Sequence, residues 1–76
     1  MVYDRLVEIL AEQFEVEKAS ITPETDVVHD LGADSLDFAE ILAGVEDEFD
    51  LVITDDESLS ISKVSEIVEY IEGLLK

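Results

Sequence analysis

The clearest structural signal in this sequence lies in residues 35–49, which read SLDFAEILAGVEDEF. Apolar side chains recur there three or four residues apart, at Phe38, Ile41, Leu42, Val45 and Phe49. This spacing places them along one face of an α-helix, where they form an apolar stripe. The stretch therefore predicts an amphipathic helix that begins at Ser35, with Asp34 as a favourable N-cap.

The same spacing occurs twice more in the chain. The first copy comprises Tyr3, Leu6, Val7, Leu10 and Phe14, and the second comprises Val64, Ile67, Val68, Ile71 and Leu75. These stripes predict a first helix from about Tyr3 to Glu15 and a last helix capped by Ser62. No segment alternates convincingly between polar and apolar residues, as an exposed strand would.

The predicted fold class is therefore all-α. We expect a small antiparallel bundle of three main amphipathic helices, with a short helix or turn near Asp55–Leu59 before the last one. A long connection over residues 16–34 contains the sole proline, Pro23, and several turn-forming residues. Its apolar residues should pack it against the bundle: Ile21, Val27, Val28 and Leu31.

Size and charge restrict the possible functions. The chain has 76 residues and a mass of 8.5 kDa, which fits one domain spanning residues 1–76. Its 21 acidic residues against 4 Lys and Arg give a net charge of −17, so nucleic acid and anionic membrane surfaces are poor partners. The sequence contains no cysteine and no spanning apolar run, and its first residues lack the basic and apolar regions of a signal peptide. We expect a free-standing cytoplasmic monomer.

The second predicted helix carries an unusual outer face. Asp37, Glu40, Asp47 and Glu48 lie away from the apolar stripe, and Leu36 is expected to be exposed beside them. A run of charge is commonly just a solvated face, but such faces usually mix both signs. No lysine or arginine occurs between Lys18 and Lys63. This one-signed surface favours docking of basic partner proteins.

Several kinds of catalytic or metal site are disfavoured by the sequence. No window satisfies the acid and glycine spacing of a helix–loop–helix calcium site. His29 is the single histidine, and we interpret it as a surface imidazole. Ser35, His29 and an acid supply the residue types of a catalytic triad, but a bundle this small is a poor scaffold for one. We therefore predict no catalytic residues and no metal site.

Ser35 lies within Asp30–Asp37, which reads DLGADSLD. A serine at a helix start is commonly structural, yet a phosphate ester is also favoured there by free N–H groups and the helix dipole. This motif resembles the attachment motif of acyl carrier proteins of dissociated fatty-acid synthesis. The resemblance covers nearly the whole chain, including residues 45–50, residues 53–57 and the closing stretch around Val64, Tyr70 and Ile71.

The resemblance implies a non-catalytic carrier that is a substrate of other enzymes. Ser35 would be esterified with 4′-phosphopantetheine from coenzyme A by a holo-acyl-carrier-protein synthase, and the thiol of this arm would carry acyl chains as thioesters. Basic surfaces of the fatty-acid synthesis enzymes would dock on the residues that match the family's acidic face: Asp34, Leu36, Asp37, Glu40, Glu46 and Asp47.

Some positions depart from the family pattern. Ala39 and Ala43 are small beside Leu36, while Phe38 is large for its place in the stripe and is expected to reshape the acyl cavity. A carrier for a polyketide or another specialised acyl or aminoacyl pathway remains an alternative. So does an acidic interaction or ion-buffering domain with an unmodified Ser35.

Overall fold

The structure is a computed structural model, which describes residues 1–53 and 61–75. It contains three α-helices: α1 (Val2–Phe14), α2 (Ser35–Phe49) and α3 (Val64–Leu75). A single 3₁₀ turn, Lys18–Ser20, interrupts the connection between α1 and α2. The predicted all-α class with three amphipathic helices is confirmed, whereas the short helix expected near residues 55–59 lies outside the described residues.

The three apolar stripes meet in one core. α1 packs against both α2 and α3. The side chains that lose all contact with solvent come from every helix and from the connection: Leu6, Leu10, Val27, Ile41, Val45 and Val64. Burial of an aliphatic side chain of this size stabilises the folded state by about 1.5–3 kcal/mol, so the stripes supply the main driving force for folding.

The ends of two stripes differ from the prediction. Leu75 remains 47% exposed and the neighbouring Leu74 remains 40% exposed, so the buried stripe of α3 ends at Ile71. Conversely, Val2 is buried at the first residue of α1, although the stripe was expected to begin at Tyr3. Helix ends are where periodicity is least informative, because neighbouring segments decide which terminal side chains are covered.

Helices α1 and α2 end in the same way. Glu15 follows α1 and Asp50 follows α2, and each has a left-handed backbone with φ of 55°. In each case the next residue donates a backbone hydrogen bond back into the helix, from Val16 to Ala11 and from Leu51 to Glu46. These bonds satisfy carbonyls that the helix end would otherwise leave unpaired.

The connection over residues 16–34 is packed, as predicted. Ile21, Val27 and Ala33 are buried, and Leu31 is half-buried. Val28 is the exception, because its side chain is 43% exposed and was wrongly expected to anchor the segment. Residues 27–31 form a turn, and within that turn Val27 faces the core while Val28 does not.

Candidate functional site

Ser35 is the first residue of α2 and is exposed. Asp34 is the N-cap, as the sequence predicted, and its Oδ1 accepts a hydrogen bond of 2.9 Å from the backbone N–H of Asp37. In return, Asp37 Oδ2 accepts one of 3.2 Å from the backbone N–H of Asp34. Two acidic side chains thus fix the helix start in a reciprocal capping box around Ser35.

The turn before Ser35 explains the glycine and alanine of the DLGADSLD motif. Gly32 has φ of 74°, a left-handed conformation that costs a residue with a side chain about 1–2 kcal/mol. Ala33 is buried, and its N–H donates a bond of 2.9 Å to the carbonyl of Val27. Glycine therefore permits the turn, and a small side chain lets the turn dock on the core.

The geometry around Ser35 fits a phosphodiester. Ser35 and Leu36 are the first two residues of α2, and their N–H groups have no hydrogen-bond acceptor among the residues that the structure describes. Such N–H groups, together with the helix dipole, favour an anion at this end of the helix. The exposed hydroxyl gives a modifying enzyme direct access, so the residues present are compatible with an attached phosphopantetheine arm.

The six predicted docking residues fall into two groups. Leu36 is 74% exposed, and Glu40 and Asp47 are exposed carboxylates without an ion-pair partner in the described part of the chain. The other three already make contacts within the protein: Asp34 and Asp37 form the capping box, and Glu46 Oε2 accepts a bond of 2.6 Å from Ile53 N–H.

Glu48 also has an intramolecular partner. Its Oε2 lies 3.1 Å from Arg5 Nε, which joins α2 to α1. Arg5 also contacts Glu8 at 3.0 Å, and this hydrogen bond lowers the pKa of the Glu8 carboxyl. Lys18 lies 3.7 Å from Glu8 on the same side of the bundle. Both cations are therefore engaged by Glu8, and Arg5 also by Glu48, whereas Glu40 and Asp47 on α2 keep an uncompensated negative charge.

Glu40 borders a groove between α1 and α2. The groove has a volume of about 400 Å³ and is lined by Ile9, Glu12, Gln13, Glu40 and Gly44. Gln13 closes one side of it by donating a hydrogen bond of 2.9 Å from Nε2 to the carbonyl of Asp37. The acidic surface therefore extends from α2 toward α1.

A hydrogen-bond network centred on Asp26 was not anticipated from the sequence. Its Oδ1 accepts bonds of 2.9 Å from the N–H groups of Val28 and His29. Its Oδ2 accepts one of 3.0 Å from the Ser62 hydroxyl and lies 3.1 Å from His29 Nδ1. The bonds from His29, together with those from Ser62 and Val28, hold the pKa of the Asp26 carboxyl well below its usual range.

The start of α3 corrects another prediction. Ser62 does not cap this helix with its side chain, because its hydroxyl donates to Asp26 instead. The backbone N–H groups of Ser62 and Lys63 each donate a bond of 3.2 Å to Glu66 Oε1. Val64 and Ser65 donate to the carbonyls of Thr25 and Pro23, at 2.9 and 3.0 Å. The connection therefore satisfies N–H groups that a cap residue would otherwise bind.

The hydrogen bonds of the described residues do not assemble a catalytic triad. The imidazole of His29 is 82% exposed and interacts with Asp26, and it makes no hydrogen bond to Ser35. Within residues 1–53 and 61–75, no group of three or more histidine and acidic side chains is placed to hold a metal ion. None of the helices in this part of the chain has the length and apolar character that a membrane crossing requires.

Comparison with known proteins gives a consistent result. Residues 4–71 match the family described as "Phosphopantetheine attachment site". Three curated proteins, each named "Acyl carrier protein", are similar over most of their length. The protein from Syntrophobacter fumaroxidans is 46% identical over 88% of this chain and 83% of its own, and that from Clostridium acetobutylicum is 38% identical over 96% and 95%. The protein from Helicobacter pylori is 40% identical over 92% and 90%.

Proposed function

Because this chain belongs to the family of acyl carrier proteins with a phosphopantetheine attachment site, we propose that Ser35 is the residue that receives the arm. The exposure of Ser35 at the capped start of α2, within the DLGADSLD motif, is the observation that carries this assignment. The whole of residues 1–76 then serves as one carrier domain. The relatives are named as carriers, and the role of this chain is accordingly to present its arm to enzymes.

The proposed modification is a phosphoryl transfer. Ser35 Oγ attacks the phosphorus that links pantetheine to the nucleotide in coenzyme A, so that a serine phosphodiester forms and adenosine 3′,5′-bisphosphate leaves. The hydroxyl proton passes to a base of the transferase. The N–H groups of Ser35 and Leu36 and the dipole of α2 favour the new anion. The arm supplies a thiol for thioester chemistry, which the cysteine-free chain lacks.

Dissociated fatty-acid synthesis is the pathway that we propose for this carrier. The one-signed charge of α2 supports it, because a single carrier must visit several basic enzymes through rapid, modest-affinity docking. Leu36, Glu40 and Asp47 are the exposed contacts for the synthase and for these enzymes. Asp34, Asp37 and Glu46 contribute charge to the same surface while they hold the helix start and the segment after α2.

The attachment is tested by intact mass. The protein is incubated with coenzyme A and a broad-specificity phosphopantetheinyl transferase, and its mass should rise by one phosphopantetheine. If an initially unmodified protein gains nothing, the assignment is wrong, and Ser35 is a structural helix-start residue.

The pathway is tested on the loaded protein. Malonyl transferase and elongation enzymes of fatty-acid synthesis should acylate and extend its arm, whereas polyketide and aminoacyl loading enzymes should leave it unchanged. Acylation by one of the latter alone would replace fatty-acid synthesis with the alternative pathway and leave the carrier role intact.

Docking is tested with matched charge reversals. Glu40→Lys on α2 should lower the rate of loading at low ionic strength, and added salt should diminish the difference, because exposed charges steer encounter and are screened. Glu72→Lys makes the same change of net charge on an exposed residue of α3 and serves as the control. Equal rates for the two variants would contradict a docking surface on α2.

A further inference from the structure

The Asp26 carboxylate makes the side-chain hydrogen bond between the connection and Ser62, just before α3. Asp26 Oδ2 lies 3.0 Å from Ser62 Oγ and 3.1 Å from His29 Nδ1. A backbone bond of 2.9 Å from Val27 N–H to the Ser62 carbonyl joins the same two segments. His29 therefore binds the group that ties its own loop to α3.

We propose that His29, Asp26 and Ser62 form a proton-responsive latch, which holds the connection more firmly against the start of α3 when the imidazole is protonated. A protonated imidazole donates a charge-assisted hydrogen bond to a carboxylate, whereas the neutral ring gives an ordinary bond or, in its other tautomer, none. Imidazole is the side chain that ordinarily changes charge near neutral pH. This inference concerns regulation of the fold and is independent of the carrier function.

Further charged groups lie around the latch. On the connection, Asp30 Oδ2 accepts a bond of 2.8 Å from Asp26 N–H. On the α3 side, Glu66 and Lys63 face Asp26, and Glu66 Oε1 accepts the N–H of Lys63. Three carboxylates thus surround the site against one lysine. The Asp26 carboxylate stays ionised across the neutral range because its hydrogen bonds lower its pKa.

The latch lies at the base of the turn that presents Ser35. The carbonyl of Val27 accepts the N–H of Ala33 at 2.9 Å, and the carbonyl of Val28 accepts the N–H of Gly32 at 3.1 Å. Val28, whose N–H binds Asp26, and Val27, whose N–H binds Ser62, thus also accept hydrogen bonds from the residues that lead into α2. A stronger hydrogen bond between His29 and Asp26 therefore also restrains the residues at the start of that turn.

Amide hydrogen exchange of Val27 tests the proposal, because this N–H bonds across the joint to Ser62. Its protection factor in the native chain should be about two- to fivefold higher near pH 6 than near pH 8, the range expected of an exposed ion pair. His29→Gln and Asp26→Asn should each remove this difference. The N–H of Val16, which bonds to Ala11 at the end of α1, reports the general effect of charge and of the terminal amine.

Two results overturn the latch. The first is an equal change in protection at Val27 and Val16, which would mean that pH acts on the whole molecule. The second is a pH difference at Val27 that persists in His29→Gln. This variant removes an exposed side chain and should fold, so the test stands even where Asp26→Asn loosens the turn.

Discussion

The starts of α2 and α3 differ in how their free backbone N–H groups are used. Both have a serine in the first turn, Ser35 in α2 and Ser65 in α3. At α3, the N–H groups of Val64 and Ser65 donate hydrogen bonds to carbonyls of the connection, and Ser65 is half-buried. At α2, the side chain of Asp34 binds a single N–H group further along the helix, and Ser35 stays exposed.

The difference predicts that access, more than helix polarity, selects the proposed modification site. Both helix starts offer the same positive dipole end. α3 uses its N–H groups to bind the connection, which contributes to stability. At α2 the Asp34 side chain binds the N–H of Asp37, while the N–H groups of Ser35 and Leu36 and the outer surface of the first turn stay open to a transferase.

Replacing the serines gives the largest effect. Ser35→Ala should abolish loading of phosphopantetheine, because no hydroxyl remains at the open helix start, while circular dichroism shows unchanged helix content. Ser65→Ala should load like the parent protein. Intact mass after incubation with transferase measures both. Loading of Ser35→Ala would show that the two helix starts do not differ in the way proposed here.

Gly32→Ala tests the turn that precedes α2. With φ of 74° at this position, an added side chain should lower the free energy of unfolding by about 1–2 kcal/mol. Urea denaturation measures the change. Gly73→Ala is the matched control, since nothing lies within 4 Å of its added Cβ, and alanine should stabilise α3 by about 0.5–1 kcal/mol. Loss of stability in both variants would contradict the conclusion that the left-handed backbone at position 32 specifically requires glycine.

Asp34→Ala removes the side chain that caps the start of α2. The free energy of unfolding should fall by about 1 kcal/mol, because the N–H of Asp37 loses its acceptor. Asp34→Ser keeps a capping oxygen and should recover most of the loss, which separates capping from charge. Equal stability of the alanine and serine variants in urea denaturation would mean that the capping bond contributes nothing.

Acid should act on the start of α3 with a smaller effect. Hydrogen bonds lower the pKa of Asp26 and of Glu66 in the folded state, so the stabilisation is complete above their ordinary values near pH 4. It is lost as the pH falls from there toward the folded values. Asp26→Asn should therefore lose less unfolding free energy than the parent between about pH 5 and pH 3. Parallel curves for the two proteins would contradict this role for Asp26.

The sequence predicted what depends on periodicity and local chemistry. The three stripes, the Asp34 cap and the exposure of Leu36 follow from residue spacing and side-chain type, and the structure confirms them. The bond between Asp26 and Ser62 and the true partners of α3 could not be predicted, because they join residues 36 or more positions apart and require knowledge of the packed connection. For the same reason Ser62 resembled a cap residue, and Val28 resembled a core residue.

The ends of α1 and α2 have a practical consequence for engineering. Glu15 and Asp50 adopt left-handed backbones that glycine or asparagine would adopt more readily, and each adds a negative charge at the negative end of its helix. Both positions are exposed. Replacing Glu15 and Asp50 by glycine or asparagine should therefore raise the free energy of unfolding without any change near Ser35. Such a variant should tolerate higher temperatures than the parent protein.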